Sequence, residues 1–365
     1  MTLRDYSQVV ERIKGKPLNV VDKLGTLVRV DEKFSDLLKE GEEYVPQGIF
    51  YSTSPDDLIS RRTIFRDNPL KIDGKKYFLE LKGYGVNGKD IWFQEHDAKD
   101  VYYGMYLENA LLEFERLQFA RNLGLEVPFP VAVVQIPHEE YLRQGLESFS
   151  RGLTGITIEW DFKDEDFLAN FGTPFHRFRN SDAILNYLKK SSDPEKKMKE
   201  ILSLFKSPFK SRPSPESKIK ALTSGKEIGY LIRAARCPYR IGGHYEVKNL
   251  SLPANKSAVK RTGKTFMRLL ENGILHHCPS LGNFTLDGEL SDLQDTFDLN
   301  TEYEKLEPHM KFVGTKSLRE FTEYLIGPIH TSSKLSQDFI DGMYHKGISL
   351  EEAVDRTMKI IESYN

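Results

Sequence analysis

A lysine followed by two glycines is the first pattern in this sequence that could do chemistry. Lys82-Gly83-Tyr84-Gly85 ends a stretch, Leu79 to Lys82, in which apolar and polar residues alternate, as they do in a β-strand with one buried face. A lysine in this position can reach a phosphate, and glycines let the backbone approach it closely. Taken alone, the motif is also typical of a plain turn with a solvated lysine.

The second pattern is an acidic residue on the apolar face of a helix. Residues 107–122 have helical periodicity and are followed by Gly124, which suits a left-handed C-terminal cap. Glu113 falls on the face that carries the apolar residues, where a carboxylate is costly unless a cation pairs with it. We therefore expect Glu113 to pair with Lys82. The alternative is that the helix rotates slightly and leaves Glu113 in water.

The third pattern is an amide and a carboxylate on either side of a turn. Asp287-Gly288 is a strong signal for a two-residue hairpin turn, and counting outward from this turn places Asn283 opposite Asp292. Opposed residues have Cβ atoms roughly 5 Å apart, and an amide oxygen beside a carboxylate suits a hard cation such as Mg²⁺. An ordinary surface hairpin is the alternative.

Two arginines form the fourth pattern. Arg233 closes an apolar, strand-like run that begins at Ile228, and Arg240 precedes Ile241-Gly242-Gly243-His244. The planar guanidinium group can donate two hydrogen bonds to one phosphate, so both arginines are candidate phosphate ligands. Two unrelated salt bridges would explain them as well.

A sheet and helices are needed to bring these candidates together. From Tyr44 to Ile136 the chain reads mainly as short strands with one clear helix. The chain then becomes increasingly helical, and Ser349, with Glu352 three residues on, predicts the start of a C-terminal helix. We therefore predict an α+β fold with a sheet-rich part, residues 1–136, and a mainly helical part, residues 137–365.

Composition limits the classes of partner. The 365 residues include 52 Lys and Arg against 54 Asp and Glu, so no overall field favours nucleic acid or an anionic membrane. No stretch approaches the roughly 20 apolar residues of a membrane helix, and the N-terminus lacks the apolar core of a signal peptide. The two cysteines, Cys237 and Cys278, have neither disulfide-framework nor metal-ligand spacing. We expect a soluble cytoplasmic protein without nucleic-acid or membrane partners.

In their order along the chain, the four patterns together resemble the SelO (selenoprotein O) family. Lys82-Gly83-Tyr84-Gly85 is similar to the family's Lys-Gly-x-Gly, and Glu113-Phe114, ahead of Leu123-Gly124 and Pro128, is similar to its helix motif. Two further pairs are similar to the family's phosphate-contacting arginines and to its metal-binding Asn and Asp, namely Arg233 with Arg240 and Asn283 with Asp292. The resemblance covers three parts of the chain, residues 72–136, 228–246 and 261–297.

This resemblance implies a two-lobed, protein-kinase-like fold with a sheet-rich N-lobe and a mainly helical C-lobe. Members of the family transfer AMP from ATP to protein hydroxyls. The implied cofactors are therefore ATP and Mg²⁺ (or Mn²⁺), and the implied acceptor is a Ser, Thr or Tyr of a protein substrate. The residues implied to bind nucleotide are Lys82, Gly83, Gly85, Arg233 and Arg240. The residues implied to act in catalysis are Lys82, Glu113, Asn283 and Asp292, of which Asn283 and Asp292 bind the metal.

One position departs from the family pattern in a way that bears on catalysis. Gly282 stands where the family has a general-base Asp, and a glycine has no side chain to accept a proton. The candidates for a replacement base are Asp287, His276, His277 and Asp295. Two alternatives follow: a kinase that transfers the γ-phosphate to a protein or small molecule, and a catalytically weak nucleotide-binding pseudoenzyme or interaction scaffold. The sequence leaves the acceptor and the oligomeric state open.

Overall fold

A computed structural model describes eight stretches of the chain, residues 6–15, 17–18, 24–53, 63–84, 105–137, 227–241, 252–327 and 335–365. These stretches form a mixed structure of helices and antiparallel sheet, which confirms the predicted α+β class. Gly85, one of the predicted nucleotide-binding residues, lies outside the described residues, as do Gly242 and residues 138–226.

Within the described stretches, nine short strands form the main sheet. They are β1 (Gly25–Val30), β2 (Glu43–Tyr44), β3 (Phe50–Ser52), β4 (Thr63–Arg66), β5 (Leu70–Ile72), β6 (Lys75–Lys82), β7 (Met105–Tyr106), β8 (Phe129–Ile136) and β9 (Ile228–Ala235). Their order is β2-β1-β8-β9-β6-β4-β3, with β5 paired to β6 and β7 to β9, and neighbouring strands are antiparallel. Strand β9 lies between β8 and β6, so the sheet includes residues from both sides of position 136.

Helices and a small second sheet make up the rest of the described structure. The helices are α1 (Tyr6–Ile13), α2 (Leu107–Asn122), α3 (Leu252–Glu271), α4 (Leu306–Phe312), α5 (Leu318–Ile326), α6 (Ser336–Met343) and α7 (Leu350–Glu362). The small sheet pairs β10 (Ile274–His276) with β11 (Thr296–Asp298), and short 3₁₀ turns lie at Glu32–Phe34, Leu281–Asn283 and Tyr303–Lys305. Within the described stretches, no helix is both long enough and apolar enough to cross a membrane.

The local signals at two helix ends are confirmed. Helix α2 spans Leu107–Asn122 as predicted, Gly124 has a φ of 71°, and the Leu125 amide donates to the Ala120 carbonyl at 3.0 Å. This hydrogen bond closes the left-handed end that glycine permits. At the start of α7, the Ser349 hydroxyl accepts a hydrogen bond from the Glu352 amide, so the predicted N-cap is present.

Alternation along β6 gives the sheet two buried faces of different character. Leu79 and Leu81 point into an apolar cluster on one side of the sheet, whereas Phe78 belongs to the larger core on the side of α2. Because successive side chains of a strand point to opposite faces, Glu80 and Lys82 share the α2 face with Phe78. Two charged groups are thereby placed inside the larger core, in front of the helix that carries Glu113.

Helices α3 and α6 cross at two glycines on the far side of this larger core. A Cβ atom at Gly263 would lie 2.2 Å from the Phe339 carbonyl oxygen, and one at Gly342 would lie 2.0 Å from the Lys260 carbonyl oxygen. Only glycine permits backbones to approach this closely. Phe339 also stacks on Phe284 with ring centroids 5.6 Å apart, so the crossing supports the loop that follows Asn283.

Candidate functional site

Lys82 and Glu113 form an ion pair between the end of β6 and the middle of α2. The Lys82 Nζ atom lies 2.6 Å from Glu113 Oε2, which confirms the pairing predicted from the sequence. Glu113 is completely buried, and Lys82 is 8% exposed. A buried carboxylate without a cation would cost several kcal/mol, so this pair fixes both the rotation of α2 and the direction of the lysine.

Gly83 has a structural reason to follow the lysine. Its φ is 82°, and a Cβ atom there would lie 2.6 Å from the Met105 side chain on β7. The residue therefore turns the chain directly after Lys82 and admits β7 beside it. The predicted contact between Gly83 and a nucleotide stays a prediction.

Arg233 extends the ion pair across the sheet to a carboxylate that the sequence analysis did not identify. Its Nη1 atom lies 2.5 Å from Glu113 Oε1, and its Nε atom lies 2.6 Å from Glu80 Oε2. Glu80 is paired in register with Arg233 on β9 and is completely buried. Glu80 could have been suspected from its position two residues before Lys82, on the same face of β6. Its partner could be identified only from the pairing of β6 with β9.

Arg240 completes the series at the other oxygen of Glu80. Its Nη2 atom donates to Glu80 Oε1 at 2.7 Å, and its Nη1 atom donates to the Pro238 carbonyl at 3.2 Å. Both arginines predicted to bind phosphate therefore make ion pairs with the same carboxylate. Arg233 is 1% exposed and has carboxylates at two of its nitrogens, so its present role is to hold Glu80 and Glu113 in place. The Arg240 side chain is less buried than that of Arg233.

Asp292 is the second carboxylate at Lys82. Its Oδ1 atom forms an ion pair with the Lys82 Nζ atom, and the Asp292 side chain is 24% exposed. Asp292 has a φ of 68°, a left-handed conformation that costs a non-glycine residue about 1 kcal/mol or more. The left-handed backbone thus occurs at the residue whose carboxylate contacts Lys82.

The predicted hairpin register around Asp287-Gly288 is wrong by one residue. Phe284 pairs with Leu290, and the Ser291 amide donates to the Asn283 carbonyl at 2.9 Å. Asn283 is therefore opposite residue 291 rather than Asp292. The reason is that three residues, 286–288, make the connection instead of two, with Gly288 at a φ of 91°. A three-residue loop with a left-handed glycine is a common alternative to the two-residue turn.

With this shift, Asn283 lies opposite Ser291, the residue before Asp292. Its Nδ2 atom donates to the Cys278 carbonyl at 2.8 Å, and the residue is 9% exposed. The amide nitrogen is thereby used inside the loop, which leaves the amide oxygen as the atom suited to a cation. An amide oxygen and a nearby carboxylate are the donor types that Mg²⁺ accepts.

The segment of Arg240 pairs directly with the Asn283 loop. Arg240 forms a β-bridge with Thr285, the Ile241 amide donates to the Phe284 carbonyl at 2.7 Å, and the Leu286 amide donates to the Tyr239 carbonyl at 2.9 Å. These hydrogen bonds connect the segment of Arg240 to the loop that also carries Asp292. Six charged side chains are joined by ion pairs around this connection, and we call them the Lys82 network: Lys82, Glu113, Arg233, Glu80, Arg240 and Asp292.

Electrostatics keeps Glu113 ionised within the Lys82 network. Burial alone would raise the pKa of Glu113, but the charges of Lys82 and Arg233 outweigh burial and lower it. Burial lowers the pKa of Lys82, and the carboxylates of Glu113 and Asp295 oppose that effect. Removal of Lys82 or of Glu113 would leave the other group charged and without this partner in a site of low dielectric, which is energetically unfavourable.

His276, His277 and Asp287 are candidate replacement bases that interact with other groups inside the fold. His276 is buried, with Nε2 3.2 Å from the Ser291 carbonyl and Nδ1 accepting from the Cys278 amide. His277 stacks on Phe297 and touches His309, and burial lowers its pKa to about 3.

Asp287 is the third of these bases. It is buried, accepts from the Thr285 hydroxyl at 2.6 Å and pairs with Arg236 at 2.7 Å. The fourth candidate is Asp295, whose charge raises the pKa of Lys82.

The residues for a metal are few but of the right type. Among the described residues, no group of three or more His, Cys, Asp or Glu side chains is placed to hold a metal ion. Asn283 and Asp292 supply one amide oxygen and one carboxylate, which is typical of Mg²⁺ sites that are completed by phosphate oxygens and water. Two protein oxygens are too few to hold Mg²⁺ alone, so the predicted metal site stays a prediction.

Comparisons of the sequence with protein-family models and with curated proteins find no match.

Proposed function

We propose that this chain binds MgATP at the Lys82 network and transfers AMP from it to a Ser, Thr or Tyr hydroxyl of a protein, as a two-lobed kinase-like transferase would. The observation that carries the proposal is the placement of Lys82 between Glu113 of α2 and Asp292 of the Asn283 loop. In kinase-like enzymes a strand lysine paired with a helix glutamate organises the nucleotide phosphates, and a nearby Asp and Asn hold the metal.

Each residue of the network has a distinct part in this proposal. Lys82 donates to phosphate oxygens, while Glu113, held by Arg233 at 2.5 Å, keeps the lysine pointed at them. Asn283 and Asp292 would hold Mg²⁺, which neutralises charge on the phosphates. Arg240, the less buried of the two arginines, has guanidinium hydrogens left for an anion after its contacts with Glu80 and Pro238. Such transfers depend mostly on positioning and charge neutralisation.

The transfer itself forms one bond and breaks another. The acceptor oxygen bonds to the α-phosphorus, the bond between that phosphorus and pyrophosphate breaks, and the acceptor loses its hydroxyl proton. Gly282 cannot take this proton, and His276 and Asp287 are buried in other hydrogen bonds. The charge of Asp295 acts on Lys82, and this effect makes Asp295 a candidate base at the lysine.

The position of a radioactive label on the product tests the reaction. The purified protein is incubated with Mg²⁺, an acceptor protein such as casein, and ATP labelled at either the α- or the γ-phosphate. AMP transfer predicts that only the α-label reaches protein, whereas the γ-label alone identifies a kinase. We expect Asp292→Ala to reduce labelling on the order of 100-fold.

Asp73→Ala is the matched control for this loss. Asp73 also has a left-handed φ of 49° and also pairs with a lysine, Lys33 at 2.6 Å, but its side chain is 69% exposed. It shares backbone conformation and ion pairing with Asp292 but lies outside the Lys82 network. Equal losses of labelling in the two variants would contradict a metal-binding role for Asp292.

The observations at Gly282, His276 and Asp287 also favour a second candidate function, a nucleotide-binding pseudoenzyme. It predicts that MgATP binds and raises the thermal unfolding midpoint without either label reaching protein. Transfer of label that is lost in Asp292→Ala would exclude this candidate. Absence of MgATP binding would overturn both functions.

A further inference from the structure

Lys82 already has two carboxylates as ion-pair partners. Its Nζ atom contacts Glu113 at 2.6 Å and Asp292. The whole network contains three cations, Lys82, Arg233 and Arg240, and three carboxylates, Glu80, Glu113 and Asp292. A phosphate added at Lys82 would therefore bring unbalanced negative charge into a largely buried site, which is costly. For a phosphate to bind, one carboxylate must leave the lysine.

The two carboxylates on Lys82 differ in their freedom to leave. Glu113 is completely buried in the middle of α2, and Arg233 holds its second oxygen at 2.5 Å. Asp292 lies in a loop, and its side chain is 24% exposed. Its left-handed backbone is a conformation in which non-glycine residues are strained. Asp292 is therefore the carboxylate that can be displaced.

A cation at the neighbouring amide can draw Asp292 away. The Ser291 amide and hydroxyl both donate to the Asn283 carbonyl, at 2.9 and 3.0 Å, so Asp292 directly follows the residue paired with Asn283. A divalent cation on the Asn283 amide oxygen would compete with Lys82 for the Asp292 carboxylate. Once Asp292 is on the cation, Lys82 has a free hydrogen for a phosphate oxygen.

We propose that Asp292 occupies the place on Lys82 that a phosphate takes, and that a divalent cation frees Lys82 by drawing Asp292 onto itself. This inference rests on the proposed function, because it concerns the same site. It makes phosphate binding depend on the metal for two reasons: the metal bridges to the phosphate, and it removes a competing carboxylate. Without metal, Asp292 keeps anions off the lysine.

Binding measured without metal separates the bridging effect of the metal from the effect of removing the competing carboxylate. Binding of inorganic tripolyphosphate and of ATP is measured by calorimetry in EDTA and in Mg²⁺ for wild type, Asp292→Asn and Asp292→Gly. Asparagine and glycine both tolerate a left-handed backbone, and Asp292→Gly also removes the strain, so at least one fold-preserving variant is available. Thermal unfolding without ligand checks that each variant is folded.

We expect the variants and wild type to bind phosphate differently in EDTA and to respond differently to Mg²⁺. In EDTA, both variants bind tripolyphosphate about tenfold or more tightly than wild type, because a repelling carboxylate has been removed from the lysine. Mg²⁺ tightens binding of either anion to wild type by about tenfold or more but has much less effect on the variants. Asp73→Asn, the matched control, behaves as wild type in both buffers.

Failure of this inference and failure of the proposed function give different results. Variants that bind metal-free tripolyphosphate no more tightly than wild type overturn the exchange of Asp292, even if label transfer from MgATP is observed. Variants that bind tripolyphosphate more tightly, in a protein that shows no preference for ATP over tripolyphosphate, support the exchange and overturn the nucleotide function.

Discussion

Asp287 and Asp292 lie five residues apart in one loop, but they belong to two buried charge clusters that differ in balance and access. Asp292 belongs to the Lys82 network, in which three cations face three carboxylates. Asp287 belongs to a second group, which we call the Arg236 cluster and define as Arg236, Asp287 and Glu289. There, two completely or almost completely buried carboxylates share one arginine, at 2.7 and 3.5 Å.

The carboxyl groups of the Arg236 cluster have raised pKa values, unlike Glu113 of the Lys82 network. Burial and the charge of Asp287 raise the pKa of Glu289 well above its usual value, and burial raises that of Asp287. The Thr285 hydroxyl donates a hydrogen bond to Asp287, and the Arg236 amide donates one to Glu289. Both clusters bury charged groups, so burial of charge alone does not distinguish them. The proposed function rests instead on the partly exposed Asp292, which pairs with Lys82 in the Lys82 network.

The largest expected effect tests whether Glu113 holds the Lys82 network together. Glu113→Ala leaves Lys82 and Arg233 without the carboxylate that they share, so we expect the free energy of unfolding to fall by about 3–5 kcal/mol. Chemical denaturation measures this loss. Glu115→Ala, at an exposed position of the same helix, is the control and should change stability by about 0.5 kcal/mol or less. Similar losses in both variants would mean that the network contributes nothing beyond helix content.

A second, intermediate effect separates the two clusters by pH. Glu289 has a raised pKa in the folded state, so its stabilising contribution is present at low pH and is lost as pH rises above its ordinary value of about 4.5. The loss is up to about 1.4 kcal/mol per pH unit until the folded-state pKa is reached. Glu113 has a lowered pKa, so its contribution is present above about 4.5 and is lost as pH falls.

Denaturation of Glu289→Gln and Glu113→Gln between pH 5 and 7 measures this contrast. Relative to wild type, Glu289→Gln should become steadily more stable as pH rises, because glutamine has no proton to release. The difference between wild type and Glu113→Gln should stay constant over the same range. A constant difference for Glu289→Gln as well would show that its carboxyl group is ionised in the folded protein, and the distinction between the clusters would fail.

The smallest expected effect concerns Asp292 itself. Asp292→Asn removes a partly exposed ion pair but leaves Lys82 paired with Glu113, and asparagine tolerates the left-handed backbone. We therefore expect a loss of about 1 kcal/mol or less in the free energy of unfolding. A loss as large as that of Glu113→Ala would make Asp292 a structural member of the network and would contradict its displacement by a cation.

The sequence predicted those features that depend on neighbouring residues. Helical periodicity placed Glu113 on the buried face of α2, where a carboxylate needs a cation, so its ion pair with Lys82 could be expected before the structure was known. The cap at Gly124 has the same local origin. By contrast, β9 inserts between β8 and β6 through pairings between residues far apart in sequence, which local periodicity does not encode.

The two misjudged features of the site have related causes. Glu80 was not identified because its partners, Arg233 and Arg240, meet it only when β6 and β9 are adjacent. The register of the Asn283 loop was misjudged because Asp287-Gly288 is compatible with either a two- or a three-residue connection. A shift of one residue changes the cross-strand partner. Ser291, rather than Asp292, therefore lies opposite Asn283, and Asp292 contacts Lys82.

The most direct test of the central claim is a crystal structure of the protein grown with Mg²⁺ and a non-hydrolysable ATP analogue. We expect phosphate oxygens within hydrogen-bonding distance of Lys82 Nζ, and a metal ion on Asp292 and the Asn283 amide oxygen. We also expect that Asp292 no longer contacts Lys82, while the pair between Lys82 and Glu113 is kept. Nucleotide bound elsewhere, or bound phosphate with Asp292 still on Lys82, would contradict it.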